Sequence, residues 1–413
     1  MAIPIPAPYV AAFEKLGFGM FVHWGLYSQL GKGEWIFDQA HMDKADYRRL
    51  FDTFTAADFD APALARLAKQ AGMRYIVLTT RHHEGFSLYD TRGLNTYDAP
   101  HSPAHRDLVR EFVDACRAED IVPFFYHTTL DWDREDFWND FPHYQQYLRD
   151  SVEILCTQYG KIGGFWFDGN WSRTDVDWEE DALYGMIRRY QPDAMIINNS
   201  GIHERGAVGN PQLDSVTFEN GRAEPMNREG MPKYVAAEMC LTMNDHWGYA
   251  RQDWNYKSVP SLICDLCACR KVGANFLLNI GPTAQGGIYP LQKATLETLG
   301  EWVSAFRDAV YDVHPAGIRG EAENFGLMGG DGCGYLYLHQ LNIQGGSHVT
   351  VYEGRPGART FTGVIQPVKR VVWLDNGQEL TFTQEGDTLV VDCPPYRYGQ
   401  QMVVRVARLE FAE

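Results

Sequence analysis

The feature that most constrains this chain is a series of eight short, largely apolar runs, most of them closed by a polar or reactive side chain. They span Phe18–His23, Tyr75–Thr80, Ile121–His127, Gly164–Asp168, Ala194–Asn199, Ser215–Glu219, Tyr234–Glu238 and Asn275–Ile280. Several are almost continuously apolar, the pattern of parallel strands covered on both faces. Helical patterns fall between many of them. Ala61–Ala71 sets Ala63, Leu64, Leu67 and Ala68 on one face, and Leu108–Ala118 and Phe141–Tyr159 precede the third and fourth runs. Alternating strands and helices imply a parallel α/β fold, and eight such strands imply a (β/α)8 TIM-like barrel.

The ends of the runs carry the chemistry. His23, His82 and His83, Tyr126 and His127, Asp168, Asn198 and Asn199, Glu219, Glu238 and Asn279 close them or lie next to them. In this type of barrel the active site sits at the C-terminal rim of the strands. A single polar strand end can be no more than the place where a strand stops. Eight together, rich in imidazole, carboxylate and amide, predict a polar substrate pocket.

The texture changes near Pro315. Short runs of alternating polarity follow at Tyr335–His339, His348–Tyr352, Val368–Leu374, Leu380–Thr383, Thr388–Val391 and Gln401–Ala407, with turns such as Asp375-Asn376-Gly377 between some of them. This predicts a small C-terminal antiparallel β-sandwich. The expected domains are a catalytic barrel over residues 1–314 and the sandwich over residues 315–413.

The formal net charge is −17 with no basic block, which argues against nucleic acid and against an anionic membrane surface as partners. A neutral substrate fits better. No apolar run reaches the roughly 20 residues of a membrane span. The first residues lack the basic and apolar regions of a secretory leader, so a cytoplasmic location is expected. The eight cysteines are scattered, as in a reducing compartment. Cys264, Cys267 and Cys269 cluster in a helical stretch without a second ligand pair, and read as buried packing rather than a zinc site. The 11 Trp suit stacking on sugar rings, although core packing uses them equally.

Several motifs resemble the family 29 α-L-fucosidases. They are Phe-Gly-Met-Phe-Val-His23-Trp24-Gly25, Glu34-Trp35, Thr80-Arg81-His82-His83-Glu84-Gly85-Phe86, Phe125-Tyr126-His127 with Leu130-Asp131-Trp132, Phe167-Asp168-Gly169, Trp247-Gly248-Tyr249 and Asn279-Ile280-Gly281-Pro282. Together they span roughly residues 10 to 290. The resemblance implies a retaining exo-α-L-fucosidase working by double displacement, without a cofactor, on fucosylated oligosaccharides or glycoconjugates. It puts Asp168 at the nucleophile position and Glu219 at the general acid/base, with Glu238 as a structural residue or the alternative acid/base. It places His23, Glu34, Trp35, His82, His83, Tyr126 and Trp247 around the sugar, with tryptophan facing its C6 methyl group. Two departures stand out. Some members carry an arginine after the fifth strand, where this chain has Asn198-Asn199-Ser200, leaving an Asn or Arg222 for that place. The family's Trp-Glu on the seventh strand is Ala237-Glu238 here.

Two other readings stay open at this level. One is a metal-dependent barrel hydrolase using His23, His82, His83 and Asp168, although no His-X-His or His-Glu-X-X-His spacing is present and no metal is expected. The other is a fucose-binding protein without catalysis. A homo-oligomer is compatible with the chain, and the aromatic loop Asp131–Tyr147 would suit an interface.

Overall fold

A computed structural model describes residues 2–200, 202–346, 348–352 and 354–412. By internal packing the chain divides into two units, one of Met1–Lys257 with Asn275–Glu297, the other of Ser258–Ala274 with Thr298–Glu413.

The first unit holds a closed barrel of eight parallel strands in sequential order: β1 Phe18–Val22, β2 Tyr75–Arg81, β3 Val122–Thr128, β4 Gly164–Asp168, β5 Met195–Asn198, β6 Ser215–Glu219, β7 Ala236–Thr242 and β8 Asn275–Ile280. The ring closes where Phe18 pairs with Phe276 and Val22 with Ile280. These strands are buried almost throughout, which is why they read as apolar runs. Several helices start on side chains that accept a backbone N–H left open in the first turn. Asp60 caps Ala61–Gln70, Asp107 caps Leu108–Ala118 and Asp140 caps Phe141–Gln158. Helix Pro8–Leu16 contributes Val10 and Phe13 to the barrel interior, where they pack with Tyr75, Phe124, Tyr126 and Trp166. The interior is therefore filled with aromatic layers and leaves only the rim for chemistry.

One barrel strand departs from its expected bounds by more than a residue at either end. β7 was expected to end at Glu238 and instead runs on to Thr242. The first charged residue reads as an end in the sequence, yet inside the barrel Glu238 pairs across to Thr217 and Asn275, and the strand continues.

The second unit contains an antiparallel eight-stranded sheet: β9 Val313–Gly320, β10 Phe325–Gly329, β11 Gly334–His339, β12 Arg359–Thr362, β13 Val368–Trp373, β14 Phe382–Glu385, β15 Thr388–Val391 and β16 Val404–Phe411. Its order is β13-β16-β11-β10-β9-β12-β15-β14. Trp373 and Leu409 from one end share a core with Phe361, Leu389 and Val391 from the other, so the sheet folds over itself in the manner of a sandwich. β9, β10 and β12 were not legible in the sequence. β9 is mostly exposed and holds Pro315 and Gly317, so it shows no alternation. Conversely, His348–Tyr352 alternates but forms a turn, with Val349 and Val351 exposed, because alternation without a core to receive it makes no strand. No disulfide links the described residues, and no helix among them is long and apolar enough to cross a membrane.

Candidate active site

Asp168 ends β4 with its side chain at the rim. Its Oδ2 accepts from Tyr126 Oη at 3.1 Å and lies 3.5 Å from His83 Nε2. Its Oδ1 accepts from Trp171 Nε1 at 2.8 Å and from Asn199 Nδ2 at 3.3 Å. Burial alone would raise its pKa. The donors from His83, Trp171 and Asn199 outweigh burial and hold it below the usual carboxylate range. Gly169 takes a φ of +123°, and a Cβ there would meet Leu130 N at 2.5 Å. The space a side chain would need is filled by residues 129–130, so the glycine serves the turn that aims Asp168.

Glu219 ends β6. Burial and the neighbouring charge of Asp168 push its pKa up to about 7, against the pull of a hydrogen bond from Asn199. Asn199 Nδ2 donates to Glu219 Oε2 at 2.6 Å as well as to Asp168 at 3.3 Å. One nitrogen touching both carboxyls keeps those two oxygens within about 6 Å of each other, near the roughly 5–5.5 Å of retaining glycosidases and short of the roughly 6.5–9.5 Å of inverting ones. Of the two residues expected near the place of the missing arginine, Asn199 reaches both carboxyls. Arg222 is exposed.

The expected wall residues come together around this pair. His23 Nδ1 bonds Asn279 Oδ1 at 2.7 Å, while Asn279 Nδ2 donates to Trp247 O at 2.7 Å. With that amide oriented, His23 carries its proton on Nδ1 and offers Nε2 as an acceptor. Burial lowers its pKa to about 3, so it is neutral. His82 is likewise held neutral by burial and stacks on Tyr126 at 5.5 Å. His83 Nδ1 bonds Thr128 Oγ1 at 2.6 Å, and that hydroxyl donates onward to Leu130 O. A shift in register between Thr79 and Arg81 marks the end of β2 where the histidine pair begins, a common device for re-aiming side chains beside a site. Arg81 is buried against Tyr147 and Ser151, behind the pair.

Glu34 Oε2 accepts from the backbone of Trp247 at 3.1 Å and of Gly248 at 2.7 Å, tying the loop after β1 to the loop after β7. Trp247 lies 5.0 Å from the His23 ring. Trp35 packs edge-on to His83 at 5.6 Å and stacks beside Trp171 at 5.7 Å. These aromatic faces and imidazoles form a wall that suits a sugar with both hydroxyls and an apolar edge.

Glu238 does not join the group at the rim. It is buried inside the barrel, where Oε2 accepts from Tyr75 Oη at 2.5 Å and Oε1 from Trp166 Nε1 at 2.9 Å. His127 also turns away, with Nδ1 on the backbone of Thr128 and Nε2 near Tyr89. Asn198 points outward to Tyr184. Strand alternation explains the last two, since neighbours on a strand face opposite ways. Sequence reasoning passed over Trp171 and Thr128. Trp171 stands three residues after Asp168, and only the short turn at Asn170–Ser172 brings its ring back onto the carboxylate. Among the described residues no three or more His, Cys, Asp or Glu side chains form a group that could hold a metal ion.

The chain is similar to known proteins along most of its length. The family model described as alpha-L-fucosidase matches residues 6–308. The tissue alpha-L-fucosidase of Bos taurus is 28% identical over 357 residues, covering 76% of this chain and 71% of that protein. The Homo sapiens tissue enzyme is 28% identical over 350 residues, covering 76% and 72%. Among solved structures, alpha-L-fucosidase isoenzyme 1 from Paenibacillus thiaminolyticus superposes with a TM-score of 0.85 at 30% identity, covering 98% of this chain and 99% of that one. With the family model matched over most of the chain and the barrel fold shared, the chain belongs to the α-L-fucosidase family of glycoside hydrolases.

Proposed function

We propose that this α-L-fucosidase removes terminal α-L-fucosyl groups from fucosylated glycans by double displacement, with Asp168 as nucleophile and Glu219 as general acid/base. The observation that carries this reading is the shared amide, which keeps two differently charged carboxyls at retaining distance. Asp168, ionised, attacks the anomeric carbon while Glu219, protonated, gives its proton to the departing glycosidic oxygen. Glu219 then takes a proton from water as that water attacks the fucosyl–Asp168 ester, which frees fucose and restores both groups. His23 Nε2, His82, Glu34 and Trp247 bind the sugar hydroxyls and ring, and Trp35 and Tyr126 complete the wall. Glu238, with both oxygens already bonded inside the barrel, serves structure.

The test is the stereochemistry of the first product. Proton NMR of aryl α-L-fucoside hydrolysis is expected to show α-L-fucose first, with the β anomer appearing only by mutarotation. Initial release of β-L-fucose would mean direct attack by water and would overturn the reading.

A further inference from the structure

Asn199 stands where three strands meet. It directly follows β5, its backbone N–H donates to Phe167 O of β4 at 2.9 Å, and its Oδ1 accepts from Thr217 Oγ1 of β6 at 3.1 Å. That junction is thinly joined by backbone. Among the described residues β5 pairs with β6 at one position, Ile197 with Ser215, whereas β6 pairs with β7 from Ser215 through Glu219. The strand carrying Asp168 and the strand carrying Glu219 are thus separated by the least regular part of the barrel. The Asn199 side chain, itself buried, spans that part.

We propose that Asn199 is a positioning residue that fixes the spacing of Asp168 and Glu219 and confines the acidic proton to Glu219 Oε1. The inference rests on the double-displacement reading and deepens it. The amide orientation follows from its partners. Its nitrogen face meets two carboxyl oxygens, which an amide oxygen would repel, and its oxygen meets a hydroxyl able to donate. Nδ2 has hydrogens to give and no lone pair to receive one, so a proton on Glu219 Oε2 would face a donor. The proton is left on Oε1, the oxygen free to reach the leaving group. The same nitrogen holds Asp168 Oδ1, so attack and protonation are referred to one atom.

The other groups acting on this pair are His83, His23, Tyr126 and Trp171 at Asp168, Glu34 and Arg205 at Glu219, and Cys240 beside both. None of them bonds both carboxyls. Asn199→Ala removes one donor from each ionised form, so each carboxyl becomes harder to ionise and both limbs of the pH profile move to higher pH.

The experiment is kcat/KM against pH for Asn199→Ala, using aryl α-L-fucosides with good and poor leaving groups. We expect both limbs to shift upward, with a loss of about 100-fold on the poor leaving group and about tenfold on the good one. Thr217→Val, which releases only the anchor of the amide oxygen, is expected to shift the limbs the same way by less. It decides the matter if Asn199→Ala does not fold. Equal losses on both substrates with both limbs in place would overturn the role of Asn199. Asp168→Ala measured alongside separates the two levels. If it is inactive while Asn199→Ala leaves the profile unmoved, only the positioning role falls. If it keeps near-normal turnover, the double-displacement reading itself falls.

Discussion

Two strand ends of the same rim, those of β4 and β6, each present a carboxyl group, and the contrast between them is where the chemistry resides. Both are desolvated, which by itself raises either pKa. Asp168 receives hydrogen bonds from Tyr126, Trp171 and Asn199 and faces His83, and stays ionised. Glu219 receives one side-chain donor, Asn199, and lies in the fields of Asp168 and Glu34, and holds its proton to about pH 7. Donor supply and neighbouring charge, rather than burial, separate the ionised carboxyl from the protonated one.

The harshest way to break this contrast is Asp168→Ala. Loss of the nucleophile is expected to cut kcat on an aryl α-L-fucoside by about 10⁴-fold or more while fucose still binds, as read by kinetics and calorimetry. Near-normal hydrolysis would refute the assignment. Glu219→Ala comes next. Poor leaving groups should lose about 10²- to 10⁴-fold and activated ones far less. In the same variant the fall of wild-type kcat/KM as pH rises through about 7 should vanish, because the group whose deprotonation causes it is gone.

A gentler change sharpens the comparison. Trp171→Phe removes one donor from ionised Asp168, so the acidic limb should move to higher pH, with a loss of about three- to tenfold near neutrality. An unmoved limb would remove Trp171 from the set that keeps Asp168 charged. Glu238→Gln should matter least, within about threefold in kcat/KM, since an amide keeps an acceptor for Trp166. A loss confined to poor leaving groups would instead move the acid/base role to Glu238.

Much of this is legible in the sequence. The barrel could be read because strands buried on both faces must be apolar, and the rim because such runs stop at polar residues. Asp168 and Glu219 were readable as strand ends. Glu238 was misplaced by the same rule. A carboxyl bonded by Tyr75 and Trp166 can sit inside a strand, and nothing local in Ala-Ala-Glu-Met reveals those partners. The strands β9 and β10 escaped because proline, glycine and, in β9, exposure erase the period of two, and β12 because four residues, Arg359–Thr362, are too few to show one.

By itself the sequence determined the list of parts: eight strands, an antiparallel unit after them, two carboxyls and a wall of histidine and tryptophan. Only the tertiary structure decided which carboxyl is charged, which nitrogen of His23 carries the proton and which amide joins the two carboxyls. Those properties depend on distances between residues far apart in the chain, such as His23 with Asn279 and Glu34 with Gly248. Hydrogen bonds and Coulomb interactions change steeply over a few ångströms, and spacing along a chain does not encode them.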